Sequence, residues 1–150
     1  MADSIQNTAV PVFMGWFCHA IDGKNRITIP SEWRFEEEVE LFLIPSSTSP
    51  CLTVMPRAEI DRIRAKAENL PGVQRIALLR RIGSYGRQAI LDKNGRLSLP
   101  DEFCKQFKLS GKVMLSGAIE TFEIWNTADW EGSRLTQKAV SDPLLADFGL

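Results

Sequence analysis

Two short stretches hold the residues best suited to chemistry. Asp22, Lys24 and Arg26 lie in D-G-K-N-R, and Asp92, Lys93 and Arg96 lie in D-K-N-G-R seventy residues later. A guanidinium is a planar fork of donors that matches phosphate oxygens and the O6/N7 edge of guanine. Lysine adds a movable point charge for phosphate. An aspartate four residues ahead of the arginine can cap the turn amides or hold the arginine in one rotamer. Each feature also has a structural reading. Asp-Gly and Asp-Lys-Asn-Gly are ordinary turn chemistry, and each arginine can simply pair with the aspartate of its own motif. Turn geometry alone leaves both readings of Arg26 and Arg96 open. Arg75, Arg80, Arg81 and Arg87 are secondary cationic candidates. Helical spacing puts Arg80 and Arg81 on neighbouring faces, so both need not reach one ligand.

Catalysis lacks materials. His19 is the only histidine, and the chain has no P-loop, no G-x-S-x-G, no metal-ligand cluster and no Cys–His pair at useful spacing. Glu36, Glu37 and Glu38 read as a solvated helix end rather than paired catalytic carboxylates. The chain is therefore expected to be no enzyme and to need no cofactor or metal. Cys18, Cys51 and Cys104 are odd in number without C-x-x-C spacing, which points to reduced thiols in the cytosol. Cys18 and Cys104 are expected as apolar fillers. Trp16, Trp33, Trp125 and Trp130 are expected as core or subunit-interface anchors. No apolar run approaches the roughly 20 residues of a membrane span, and MADSIQNTAV lacks the order of a secretion signal.

The formal net charge of −1 hides an uneven distribution. Residues 1–56 carry 3 basic and 7 acidic side chains, residues 57–96 carry 10 and 4, and residues 97–150 carry 5 and 8. The middle third is thus a basic island of +6 between segments of −4 and −3.

The elements that must position these residues also occur twice. AIDGKNRITIPSEW from Ala20 answers ILDKNGRLSLPDEF from Ile90, so one structural unit is repeated. WFCHAI and YGRQAIL read as strands leading into the turns. RITIP and RLSLP follow as short alternating strands, with Ile27, Ile29, Leu97 and Leu99 on one face and Thr28 and Ser98 on the other. Pro30 and Pro100 stop them, and Ser31 and Asp101 sit where helix N-caps are expected. VELFLI and GKVMLS read as third strands, CLTVM and TFEIW as fourth. Helices are expected over AEIDRIRAKAENL, with Ile60, Ile63 and Ala67 as an apolar stripe, over VQRIALLRRI, and over TADWEGSRLTQKA. One unit is too small to bury both faces of a sheet. Two copies in one chain can pack as a pseudo-twofold pair around a shared barrel-like core, giving a β-rich α+β protein with surface helices. The expected divisions are a flexible extension over 1–11, units over 12–70 and 84–140, a linker helix over 71–83, and a loose tail over 141–150.

The paired DGKNRITIP and LDKNGRLSLP motifs resemble the MraZ family, whose halves are AbrB-like (SpoVT-AbrB, swapped-hairpin) units with one D-x-x-x-R motif each. The likeness runs from about Trp16 to Trp130 and includes LPGVQRIALLRR and the FEIW strand. It implies that strands of the two halves interleave. It also implies a bacterial transcriptional regulator of the division and cell-wall gene cluster, cytoplasmic and nucleoid-associated, which assembles into a ring on repeated promoter elements of double-stranded DNA. On that footing Lys24, Arg26, Lys93 and Arg96 become the DNA-binding residues, Arg80, Arg81 and Arg87 secondary contacts, and Asp22 and Asp92 turn organisers. Neither a membrane nor a small-molecule substrate is implied. The chain departs from the family in having Asn25 at a glycine position, which Asn tolerates better than most residues. It also has a longer N-terminal extension, and RRIGSYG replaces a more apolar stretch.

Two rival readings keep the fold and change the role. An AbrB-like assembly protein that does not bind DNA would suit the acidic balance, since a dedicated DNA binder is expected to be basic. An antitoxin-type autorepressor would add a toxin partner, but such proteins usually carry one AbrB unit and a disordered tail.

Overall fold

A computed structural model describes residues 12–34 and 39–150 of the chain. The N-terminal extension and the Glu36–Glu38 run lie outside the described residues. The elements follow in the order β1 (Trp16–Ala20), β2 (Arg26–Thr28), β3 (Glu40–Pro45), β4 (Cys51–Pro56), α1 (Arg57–Ala67), α2 (Gly72–Tyr85), β5 (Arg87–Ile90), β6 (Arg96–Ser98), α3 (Asp101–Gln106), β7 (Lys112–Gly117), β8 (Phe122–Asn126) and α4 (Thr127–Asp147). All strands expected from the sequence form, because each carries apolar residues at alternate positions and a turn-forming or proline stop. The protein is α+β, with antiparallel sheet and four helices.

Six strands form one sheet in the order β1-β7-β8-β4-β3-β5, and β2 pairs with β6 in a separate two-stranded ribbon. Exchanging β1 with β5, β3 with β7 and β4 with β8 maps the sheet order onto itself. Each copy of the repeat thus completes the other: β1 pairs with β7 and β5 with β3. The ribbon has its own centre of exchange, with Ile27 opposite Leu97, Arg26 opposite Ser98 and Thr28 opposite Arg96. The expected barrel is not formed among the described residues, because β1 and β5 remain at opposite edges of the large sheet.

The core lies between the ribbon and one face of that sheet. Ile27, Ile29, Leu97 and Leu99 share one buried cluster with Leu43, Leu52, Val54, Val113, Leu115 and Ile124. Thr28 and Ser98 are exposed, as alternation requires. On the other face Trp130 of α4 closes over Cys51, Met114 and Trp125.

Several local expectations need correction. Ser31 and Asp101 do not cap helices. Pro30 and Pro100 take the cap position with φ of −52° and −56°, and their carbonyls accept from the Trp33 and Phe103 amides at 2.9 and 3.0 Å. A proline ring offers no side-chain acceptor, but its fixed φ sets the entry to the helix and its carbonyl accepts from the amide three residues on. On α1, Ala67 is buried but Ile60 and Ile63 are only half-buried, and Glu59 is the other buried residue. Glu59 tolerates this because Arg62 meets it with two bonds of 2.8 and 2.6 Å. Trp33, Trp125 and Trp130 are buried, whereas Trp16 is exposed and rests against the Trp130 ring. Cys104 fills core space, but Cys18 is exposed on an edge strand. α4 continues to Asp147, past the boundary expected at residue 140.

Candidate nucleic-acid interface

The two D-x-x-x-R turns fold alike to the level of single hydrogen bonds. In the first, Asp22 Oδ1 accepts from the backbone N–H of Lys24 and Arg26 at 2.9 and 2.8 Å, while Oδ2 accepts from Arg26 Nε at 2.8 Å. In the second, Asp92 Oδ1 accepts from Asn94 and Arg96 at 2.8 and 2.9 Å, while Oδ2 accepts from Arg96 Nε at 3.0 Å. One carboxylate therefore both caps the turn and fixes the arginine. The turn also needs a left-handed residue before the arginine. Gly95 supplies it at φ 75° and Asn25 at φ 59°, so the departure from glycine leaves the turn intact.

The ribbon locks the two turns together. Ile29 donates to the Gly95 carbonyl and Leu99 to the Asn25 carbonyl, both at 2.8 Å. With Ile27 and Leu97 fully buried, strand alternation puts Arg26, Thr28, Arg96 and Ser98 on the outer face. Arg26 and Arg96 are diagonal neighbours there, with bases about 7–8 Å apart. Lys24 and Lys93 are exposed at the turn tips beside them. The sequence-expected cations of the two motifs thus meet on one small surface.

Its electrostatics favour a charged, pre-ordered state. The Arg26 and Arg96 backbone amides, helped by their guanidinium groups and opposed by desolvation, hold the Asp22 and Asp92 carboxyls below their ordinary value of 3.8. Each aspartate uses only the Nε of its arginine. The two amino groups of each fork have no hydrogen-bond partner among the described residues, so an internal ion pair and an external ligand are compatible.

The secondary candidates separate. Arg87 is committed internally: it pairs with Glu102 at 2.6 Å and donates to the Ser84 and Gly86 carbonyls. Arg81 lies over the Tyr85 ring and lines a cavity of about 400 Å³ with Arg87 and Glu102. Arg75 and Arg80 are exposed on α2. Of the cations singled out from the sequence, the four of the two motifs share the ribbon surface, joined by one residue that the motifs do not contain. Arg34 lays its side chain across Gly95, where an added Cβ would come 2.7 Å from Cζ and 2.8 Å from Cδ. The repeat gave no signal for it, because the position equivalent to Arg34 is Cys104.

The chain is similar to known proteins. Residues 87–145 match the profile of a family described as "MraZ protein, putative antitoxin-like". The chain is 31% identical to the transcriptional regulator MraZ of Pediococcus pentosaceus over 144 residues, covering 93% of this chain and 100% of that protein. It is likewise 31% identical to the transcriptional regulator MraZ of Shewanella amazonensis, at the same coverages. The protein of that name from Lachnoclostridium phytofermentans is 29% identical over 140 residues.

Proposed function

The chain belongs to the MraZ family, and from that membership we propose that it is a transcriptional regulator that binds duplex DNA through the outer face of the β2–β6 ribbon. The observation that carries the reading is the matched pair of turns, each holding an arginine by Nε and leaving its amino groups without a hydrogen-bond partner among the described residues. The major groove of B-DNA admits a two-stranded β-ribbon, and two arginine forks are suited to guanine edges. Thr28 and Ser98, small hydroxyl residues on the same face, allow close approach. Lys24 and Lys93 reach flanking phosphates.

One copy neutralises few phosphates and binds weakly. A ring of copies raises effective concentration and reads tandem elements about 34 Å apart, one helical turn. We assign it, on the family resemblance, to the division and cell-wall gene cluster as a repressor in the cytoplasm, associated with the nucleoid. The exchange symmetry of the strand order supports reading 12–70 and 84–140 as swapped-hairpin, AbrB-like units joined through the 71–83 helix. The extension over 1–11 and the segment over 141–150 complete the division.

The acidic balance, with a pI near 5.9, favours the rival in which the chain assembles without binding DNA. Competition between labelled duplex from upstream of the protein's own coding sequence and a scrambled duplex separates the two. The regulator reading expects selective retention that weakens as salt rises. Equal retention of both duplexes, or none at low salt, overturns it.

A further inference from the structure

The two turns match in their internal bonds and differ in what the other copy of the repeat lays against them. Against the first turn stands a carboxylate: Asn25 Nδ2 donates to Asp101 Oδ1 at 3.5 Å, and Asp101 is shared with Lys105 at 2.9 Å. Against the second turn stands the guanidinium of Arg34. We propose that Arg34 binds a backbone phosphate of duplex DNA beside Lys93, giving the second turn a phosphate contact that has no counterpart at the first. The inference rests on the DNA-binding reading above and adds a contact that neither motif contains.

Three observations carry it. Gly95 is buried at φ 75°, and the missing Cβ is what lets Arg34 lie flat on the turn backbone. The second observation is the state of the fork. Arg34 Nε is buried with no hydrogen-bond partner, and it is the one side-chain polar atom in that condition among the described residues. The amino groups are then the part of the fork left for water or an anion. A guanidinium that is partly desolvated and has no ion pair among the described residues gains more than a solvated one from an arriving anion. Third, the asymmetry is written into the sequence. The positions seventy residues apart are Arg34 and Cys104 on one side and Asp101 and Ser31 on the other, so Arg34 has no counterpart at the first turn.

The test is a salt titration of binding to duplex DNA from upstream of the protein's own gene, with native mass and melting temperature read in parallel. For Arg34→Gln the slope of log affinity against log salt is expected to become shallower by about 0.9 for each copy engaged, the loss of one phosphate contact. Arg34→Lys is expected to keep the parent slope, since a phosphate accepts a point charge. A parent-like slope in Arg34→Gln, with Arg96→Gln shallower, overturns the Arg34 contact alone. Parent-like affinity as well as slope in Arg34→Gln, Arg26→Gln and Arg96→Gln together overturns the ribbon as the DNA-binding face, and this contact with it. Should Arg34→Gln fail to fold, modification of the unaltered protein by an arginine-specific dicarbonyl, read by mass spectrometry, decides the matter. The duplex is expected to protect Arg34, and equal modification with and without DNA overturns the proposal.

Discussion

Asp22 and Asp92 each perform two tasks through different oxygens, capping the turn with Oδ1 and fixing an arginine with Oδ2. Replacing either by Asn keeps an acceptor but removes the charge that aligns the arginine, so DNA binding is expected to weaken while the core persists. The charge has a pH signature of definite sign. Both carboxyls are held below 3.8, so the folded state binds fewer protons than the unfolded chain in that range. The stabilisation is fully present above 3.8 and is lost as pH falls through the depressed folded values. Melting curves taken down into acid should therefore fall less steeply for the Asp22→Asn, Asp92→Asn double variant than for the parent. The thiols behave differently. Burial, aided by the Glu123 charge, pushes Cys51 up to about 12, and burial raises Cys104 as well. In native protein at neutral pH a thiol reagent is expected to label Cys18 alone, and labelling of Cys51 before unfolding would contradict the packing described.

At the scale of elements, the ribbon depends on two demands the sequence makes separately: a left-handed residue in each turn and an apolar pair beneath. Asn25→Ala is expected to lose about 1 kcal/mol for holding φ 59° without asparagine's tolerance, whereas Asn25→Gly is expected to be close to neutral. Leu97→Ala empties a fully buried site opposite Ile27 and is expected to lose about 2–5 kcal/mol in denaturant unfolding. These elements were legible because their signals are local. The period-2 alternation of Ile27, Ile29, Leu97 and Leu99 and the Asp-to-Arg spacing determine the ribbon without reference to distant contacts. Arg34 was illegible because its role arises from one copy of the repeat crossing onto the other. Arg87, expected as a secondary DNA contact, also pairs with Glu102 on α3, a contact across sequence that helical spacing does not encode. α4 also runs on into the tail expected to be loose from Ser141, with Pro143 accommodated within the helix.

At the scale of the molecule, the fold leaves apolar surface that one copy does not cover. No residue of α2 is buried, Val73 on it is 84% exposed, and α4 exposes Leu135 and Val140. Exposed apolar residues of this kind are where contacts of the proposed ring are expected. Val73→Asp with Leu135→Asp is expected to lower the native mass while leaving the turns intact, and to weaken DNA binding through lost avidity rather than lost contacts. An unchanged mass would place the subunit interface elsewhere. The pseudo-twofold strand order brings the cations of both motifs to one ribbon, so a local anion site can stand in a chain of net charge −1. The most direct test of the account is the salt dependence of binding to the upstream duplex by the parent and by the Arg26→Gln, Arg96→Gln double variant. The expected result is steep salt dependence in the parent and a clearly shallower slope in the variant at unchanged native mass and melting temperature. Equal slopes in the two proteins, or parent binding that ignores salt, would contradict it.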